Sequence, residues 1–87
     1  MTEIEALKLT MEHFGINRKE MLSRSHKRKI SDCKAVLCWW YVNVLKLNKS
    51  QASLRFLRNP SFAQHNLKKV ESLKKEFKPI LDKLIEI

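Results

Sequence analysis

Apolar residues recur along this chain with a helical period almost from end to end. Ile4, Leu7, Met11 and Phe14 lie three and four residues apart and form one stripe. Thr2 with Glu5 three positions on is a capping-box signature, and Gly15 stops the stripe, so a first helix is predicted between them. Asn17 with Glu20 repeats the signature and opens a short second helix through Met21 and Leu22. The period then fails. Residues 23–29 (Ser-Arg-Ser-His-Lys-Arg-Lys) are polar and basic with no apolar anchor, which predicts an exposed loop.

Ser31, followed by Asp32, can cap a third helix running to about Lys46. From Ala35 to Val42 this helix is apolar on every side, which makes it the central, most buried one. Trp39, Trp40 and Tyr41 are adjacent and spread over about 200° of a helix, so one of them is predicted to lie at a surface or an interface. Asn48 with Gln51 caps a short fourth helix, with Ala52, Leu54 and Phe56 available for packing, and a tight turn follows at Leu57 and Arg58. Asn59-Pro60 starts a fifth helix, because Asn suits the N-cap and Pro the first helical position. Ala63, Leu67, Val70 and Phe77 give its buried stripe, leaving Ser61, Gln64, His65, Lys68 and Lys69 outward. Pro79 is predicted to end or kink it, and Ile80, Leu81, Leu84 and Ile85 make a last amphipathic turn or two.

With 87 residues the chain builds one core and one domain, 1–87, without room for a catalytic module beside it. One Gly and two Pro agree with an all-α fold. Cys33 and Cys38 are five apart on one helix, where their Cβ vectors diverge, and read as reduced core residues. His13, His26 and His65 are scattered, with no zinc spacing. No triad, paired carboxylate or Gly-rich phosphate loop is recognisable, so the expectation is a non-enzyme without cofactor or metal. There is no run of 18 apolar residues and no signal-peptide layout, and the expectation is a soluble, cytoplasmic, nucleoid-associated protein.

Charge sharpens this outline. The net charge of +9 is concentrated in residues 17–70, and between Asp32 and Glu71 there is no acid at all. That stretch carries Lys34, Lys46, Lys49, Arg55, Arg58, Lys68 and Lys69. Such a face suits a polyanion, most commonly a phosphate backbone, although an anionic membrane surface also fits the charge. Residues of about 48–72 read as helix, tight turn, helix, the second with an uncharged polar tip and a basic body. A helix-turn-helix reader of duplex DNA needs this arrangement, and many small helical domains also use such a turn for packing alone. Asn59, Ser61 and Gln64 can hydrogen-bond base edges, and Pro60 or Phe62 can touch a thymine methyl. Lys49 and the neighbouring cations can hold phosphates.

The segment Arg58-Asn59-Pro60-Ser61-Phe62-Ala63-Gln64-His65-Asn66-Leu67-Lys68-Lys69-Val70 resembles the C-terminal DNA-binding signature of the bacterial replication initiator DnaA, R-D-H-S/T-T-V-L-H-A-x-R/K-K-I/V. Arg58, Ser61, His65, Lys68, Lys69 and Val70 fall in register. Leu22-Ser23-Arg24-Ser25-His26-Lys27-Arg28 is similar to the family's L-S-K-S-R-K-R basic loop. The resemblance implies a six-helix, Trp-repressor-like domain that binds an asymmetric duplex site as a monomer, without the initiator's ATPase. It implies His26, flanked by Arg24, Lys27 and Arg28, on the minor groove, Lys34 and Arg58 on phosphates, and Ser61, His65 and Lys69 on the recognition helix. Asn59-Pro60 stands where the family has Asp-His, and Phe62 where it has Thr, which implies a different preferred site. Phe56-Leu57-Arg58 is one residue shorter than the family's F-G-G-R turn. Two other readings fit the sequence: an adaptor that binds protein through an exposed Trp and has lost DNA readout, and, less well, an RNA binder with only Phe62 to stack on bases.

Overall fold

In a computed structural model of the chain, which describes residues 2–24 and 27–85, the described residues form six helices and no strand. They are α1 (Glu3–Phe14), α2 (Arg18–Leu22), α3 (Arg28–Asn43), α4 (Lys49–Leu54), α5 (Pro60–Ser72) and α6 (Lys74–Ile85). Three predicted capping boxes are formed: Glu5 N–H donates to Thr2 Oγ1, Glu20 N–H to Asn17 Oδ1 and Gln51 N–H to Asn48 Oδ1, at 3.2, 2.8 and 2.8 Å. In each, the side chain at the third helical position accepts from the cap's own N–H, so both otherwise unpaired donors are satisfied. Gly15 ends α1 at φ 65°, the left-handed conformation that a residue without Cβ adopts at no steric cost.

Helix α3 is the axis of the fold and touches each of the other five. Every residue from Asp32 to Cys38 is buried, as are Trp40 and Tyr41, and the packed extents of 29 × 26 × 25 Å leave no helix standing off the core. Trp39 is the aromatic left half-buried, in agreement with the angular argument above. Cys33 and Cys38 are free thiols in the core, and burial pushes both up to about 12, Lys34 opposing the shift for Cys33.

Several sequence expectations are corrected. The basic loop does not extend to residue 29: α3 begins at Arg28, with Lys27 at the cap position, and Ser31 lies inside the helix. Ser31 serves a tertiary contact, not a cap, because its Oγ accepts from Lys69 Nζ at 2.8 Å. Helix α3 stops at Asn43, not Lys46, and the chain reverses through Lys46 at φ 64°, with Leu47 N–H donating to Tyr41 O. The fifth helix breaks at Leu73, and Pro79 lies within α6. Pro79 and Lys75 are both exposed, so the carbonyl deprived of its i+4 donor can be hydrated. On α1 the most buried positions are Ala6 and Thr10, whose hydroxyl donates back to Ala6 O at 2.7 Å, while Ile4 is 66% exposed. Leu54 is likewise exposed rather than packed. No helix among the described residues is long and apolar enough to cross a membrane.

Candidate nucleic-acid interface

The turn between α4 and α5 is held from below by Ser53, a fully buried residue with no prominent sequence signal. Its Oγ accepts from Ala63 N–H at 3.0 Å, which satisfies a backbone donor in the first turns of α5. Asn59 occupies the N-cap without capping: its Oδ1 accepts instead from the Ser61 hydroxyl. Asn66, buried under α5, donates from Nδ2 to Phe62 O at 2.8 Å. Above this frame the chain reverses at Leu57, which has φ 57°. Leu57 N–H donates to Leu54 O and Arg58 N–H to Ser53 O, the paired bonds of a Schellman motif with leucine at its left-handed position.

The turn delivers Arg58 onto the start of α5. Its guanidinium lies 5.6 Å from the Phe62 ring centroid, and Phe62 packs on Phe56 with centroids 5.1 Å apart. Phe62 is therefore half-buried, and its ring orients Arg58. Arg58, Asn59, Ser61, Phe62 and His65 line one shallow depression of about 460 Å³. Pro60, Gln64 and Lys68 are exposed on the same helix. Lys49 is exposed in the first turn of α4.

Lys34 is only 6% exposed, and its Nζ donates to Ser23 O, so it pins the start of the α2–α3 connection to α3. Its pKa is lowered, first by burial and then by the positive charges of Arg58 and Arg24, with Cys33 opposing. Three cations from the connection, from α3 and from the turn before α5 thus converge. None of the three forms an ion pair among the described residues. A cluster of this kind creates a positive potential that an anion can relieve.

Other basic residues are neutralised by acids from outside the acid-free stretch. Arg55 pairs with Glu3 at 3.3 Å and lies over the Tyr41 ring at 5.9 Å. Lys69 stands 2.8 Å from Asp32 and is half-buried, so it is part of the α3–α5 packing, not of the outer face of α5. Arg28 reaches both Asp32, at 3.6 Å, and Glu76, at 3.2 Å. Lys34 and Lys69 are thus removed from the freely projecting cations. Arg24 and Lys27 are exposed beside the first turn of α3, and His26 lies outside the described residues.

No family model, curated protein or solved structure matches the chain. Asp32, Ser53 and Glu3 were absent from the sequence-based site. Asp32 alone had a readable signal, an acid followed on the most buried helix by Lys34 and otherwise apolar residues as far as Val42.

Proposed function

We propose that the chain is a helix-turn-helix protein that binds double-stranded DNA, with α4 as the positioning helix and α5 as the recognition helix. The observation that carries this reading is Arg58, stacked on Phe62 and free of ion pairs among the described residues, in one depression with Asn59, Ser61 and His65 at the exposed polar start of α5. Cations flanking a helix N-terminus hold phosphates and fix register, and polar side chains on its first turns reach base edges in the major groove. Asn59, Ser61, Gln64 and His65 take the base-reading role, with Lys68 and Lys49 on the flanking backbone. Arg24, His26 and Lys27 take the adjacent groove or backbone. The likeness of residues 58–70 to the DnaA signature supports the same assignment. The paired Asn59 and Ser61 side chains form one joint hydrogen-bonding surface where that family carries Asp and Ser or Thr.

Selection from a random duplex library, followed by anisotropy titration at several salt concentrations, tests the proposal. Enrichment of a sequence is expected, with a log–log salt slope of about −4 to −5.5 for about five or six phosphate contacts. A flat salt response removes the reading. A steep slope without enrichment leaves nonspecific DNA binding, and capture of a protein without either favours the adaptor.

A further inference from the structure

We infer that Asn59 reads adenine in an A·T base pair, with Ser61 as its positioning residue; the inference rests on the duplex-binding reading above and assigns the base at one position of the site. Asn59 stands at the N-cap of α5, but its side chain is released from capping. Phe62 N–H donates to the Asn59 backbone carbonyl at 3.1 Å and Ala63 N–H to Ser53 Oγ at 3.0 Å, so these donors of the helix start are satisfied without it. Asn59 and Ser61 are both exposed, and the Ser61 hydroxyl donates to Asn59 Oδ1. That bond fixes which way the amide faces. An amide carries two N–H donors and a carbonyl oxygen with two lone pairs. The Asn59 side chain makes no other hydrogen bond among the described residues, so Nδ2 and one lone pair of Oδ1 are left for a ligand.

A donor beside an acceptor on one planar group discriminates among the four bases. Adenine presents N7 as acceptor and its N6 amino group as donor on the major-groove edge, and matches both amide atoms at once. Guanine presents two acceptors, N7 and O6, so Oδ1 would face a lone pair. Cytosine satisfies only Oδ1, and thymine only Nδ2. With Oδ1 held by Ser61, the amide does not turn over to suit another edge. Pro60, between the two residues, adds an apolar element of its own. It is exposed, and its ring carbons suit the thymine methyl, which a G·C pair lacks. Phe62, the other apolar side chain of the first turn, is half-buried against Phe56 and Arg58. Amide and ring thus select the same base pair.

Anisotropy titration of the full chain with selected duplexes, altered one base pair at a time, tests this. One position is expected at which A·T binds about 5- to 150-fold more tightly than the other three pairs. At that position 7-deazaadenine, which lacks N7, and purine, which lacks the N6 amino group, should each lose most of the preference. Asn59→Ala should bring the four pairs there to within about twofold of one another and leave the salt slope unchanged. Ser61→Ala should weaken the preference, and Ser61→Thr, which keeps the hydroxyl, should restore it. Both residues are exposed, so these variants leave the core untouched. An Asn59-dependent position that prefers G·C, or the lack of any position whose preference depends on Asn59, overturns the inference, while steeply salt-dependent binding leaves the duplex reading standing. Loss of salt-dependent duplex binding altogether removes both.

Discussion

Asp32 Oδ1 on α3 and Lys69 Nζ on α5 stand 2.8 Å apart, although the ammonium directs its hydrogen bond to Ser31 Oγ. At this distance the carboxylate and the ammonium tie the two helices together as an ion pair. Both groups are largely shielded, with side-chain exposures of 10% and 23%. Removing Asp32 strands a cation, whereas removing Lys69 leaves Asp32 with Arg28. Asp32→Ala should therefore destabilise the fold by about 1.5–3 kcal/mol, and Lys69→Met by less. Urea unfolding of both single variants and the double variant measures the coupling, expected at about 1–2 kcal/mol. Strict additivity would show that the pair is incidental.

Leu57 combines a left-handed backbone with 82% side-chain exposure, so its side chain contributes little packing to offset the strain. The left-handed region costs an L-residue roughly 1–2 kcal/mol, of which glycine's greater unfolded-state freedom takes back a part. Leu57→Gly should raise stability by about 0.5–1 kcal/mol, and Leu57→Val should lower it. Thermal and urea midpoints check the order. Equal midpoints for all three would mean that the turn relaxes on substitution.

The division of cations predicts unequal effects on DNA binding. Arg24→Ala and Arg58→Ala should each make the salt slope shallower by about 1, with a similar loss on every sequence. Asn59→Ala and Ser61→Ala should leave the slope intact and alter discrimination by about 1–3 kcal/mol per contact. Lys69→Met should change neither by much, despite its place within the signature. Anisotropy titrations on selected and scrambled duplexes separate these outcomes, and a slope change for Lys69→Met equal to that for Arg58→Ala would refute the assignment.

Stability should fall on the alkaline side. Between the ordinary thiol value of 9.0 and about 12, an unfolded chain releases the Cys33 and Cys38 protons that the folded chain keeps. The unfolded state then binds fewer protons, so the free energy of unfolding declines by up to about 1.4 kcal/mol per pH unit per thiol. Tyr41, also raised by burial and by Glu3, adds to the decline above 10.0. Lys34 acts in the opposite sense below 10.5, because its lowered pKa makes the folded chain the first to lose that proton. Urea midpoints from pH 8 to 10.5 should drop, and the Cys33→Ala/Cys38→Ala double variant should flatten the slope whatever its absolute stability.

Local signals in the sequence identified the helices well and their partners poorly. Thr2, Asn17 and Asn48 announce helix starts because a capping box is complete within four residues, and all three boxes form as read. Asn59-Pro60 marks the start of α5 through the proline at its first position, although the Asn59 side chain makes no capping bond. The break at Leu73 carries no sequence signal, because nothing in its composition interrupts the helical period, whereas Pro79, the conspicuous breaker, sits where its missing N–H leaves an exposed carbonyl. The charge pattern misled in a different way. A segment without acids is basic only until the fold brings Glu3 to Arg55 and Asp32 to Lys69, and both contacts join residues distant in sequence. Lys34 was legible as a cation but not as a buried one, because its burial depends on where Ser23 crosses α3.

The Glu3–Arg55 and Asp32–Lys69 pairs exist only in the folded chain, so unfolding releases two cations to solution. A polyanion without defined shape, such as heparin, gains more contacts on the unfolded chain than on the native one and should lower the melting temperature. A duplex that fits the α5 surface binds the native form alone and should raise it. Folding thus makes the chain less generally basic and more selective about which polyanion it rewards.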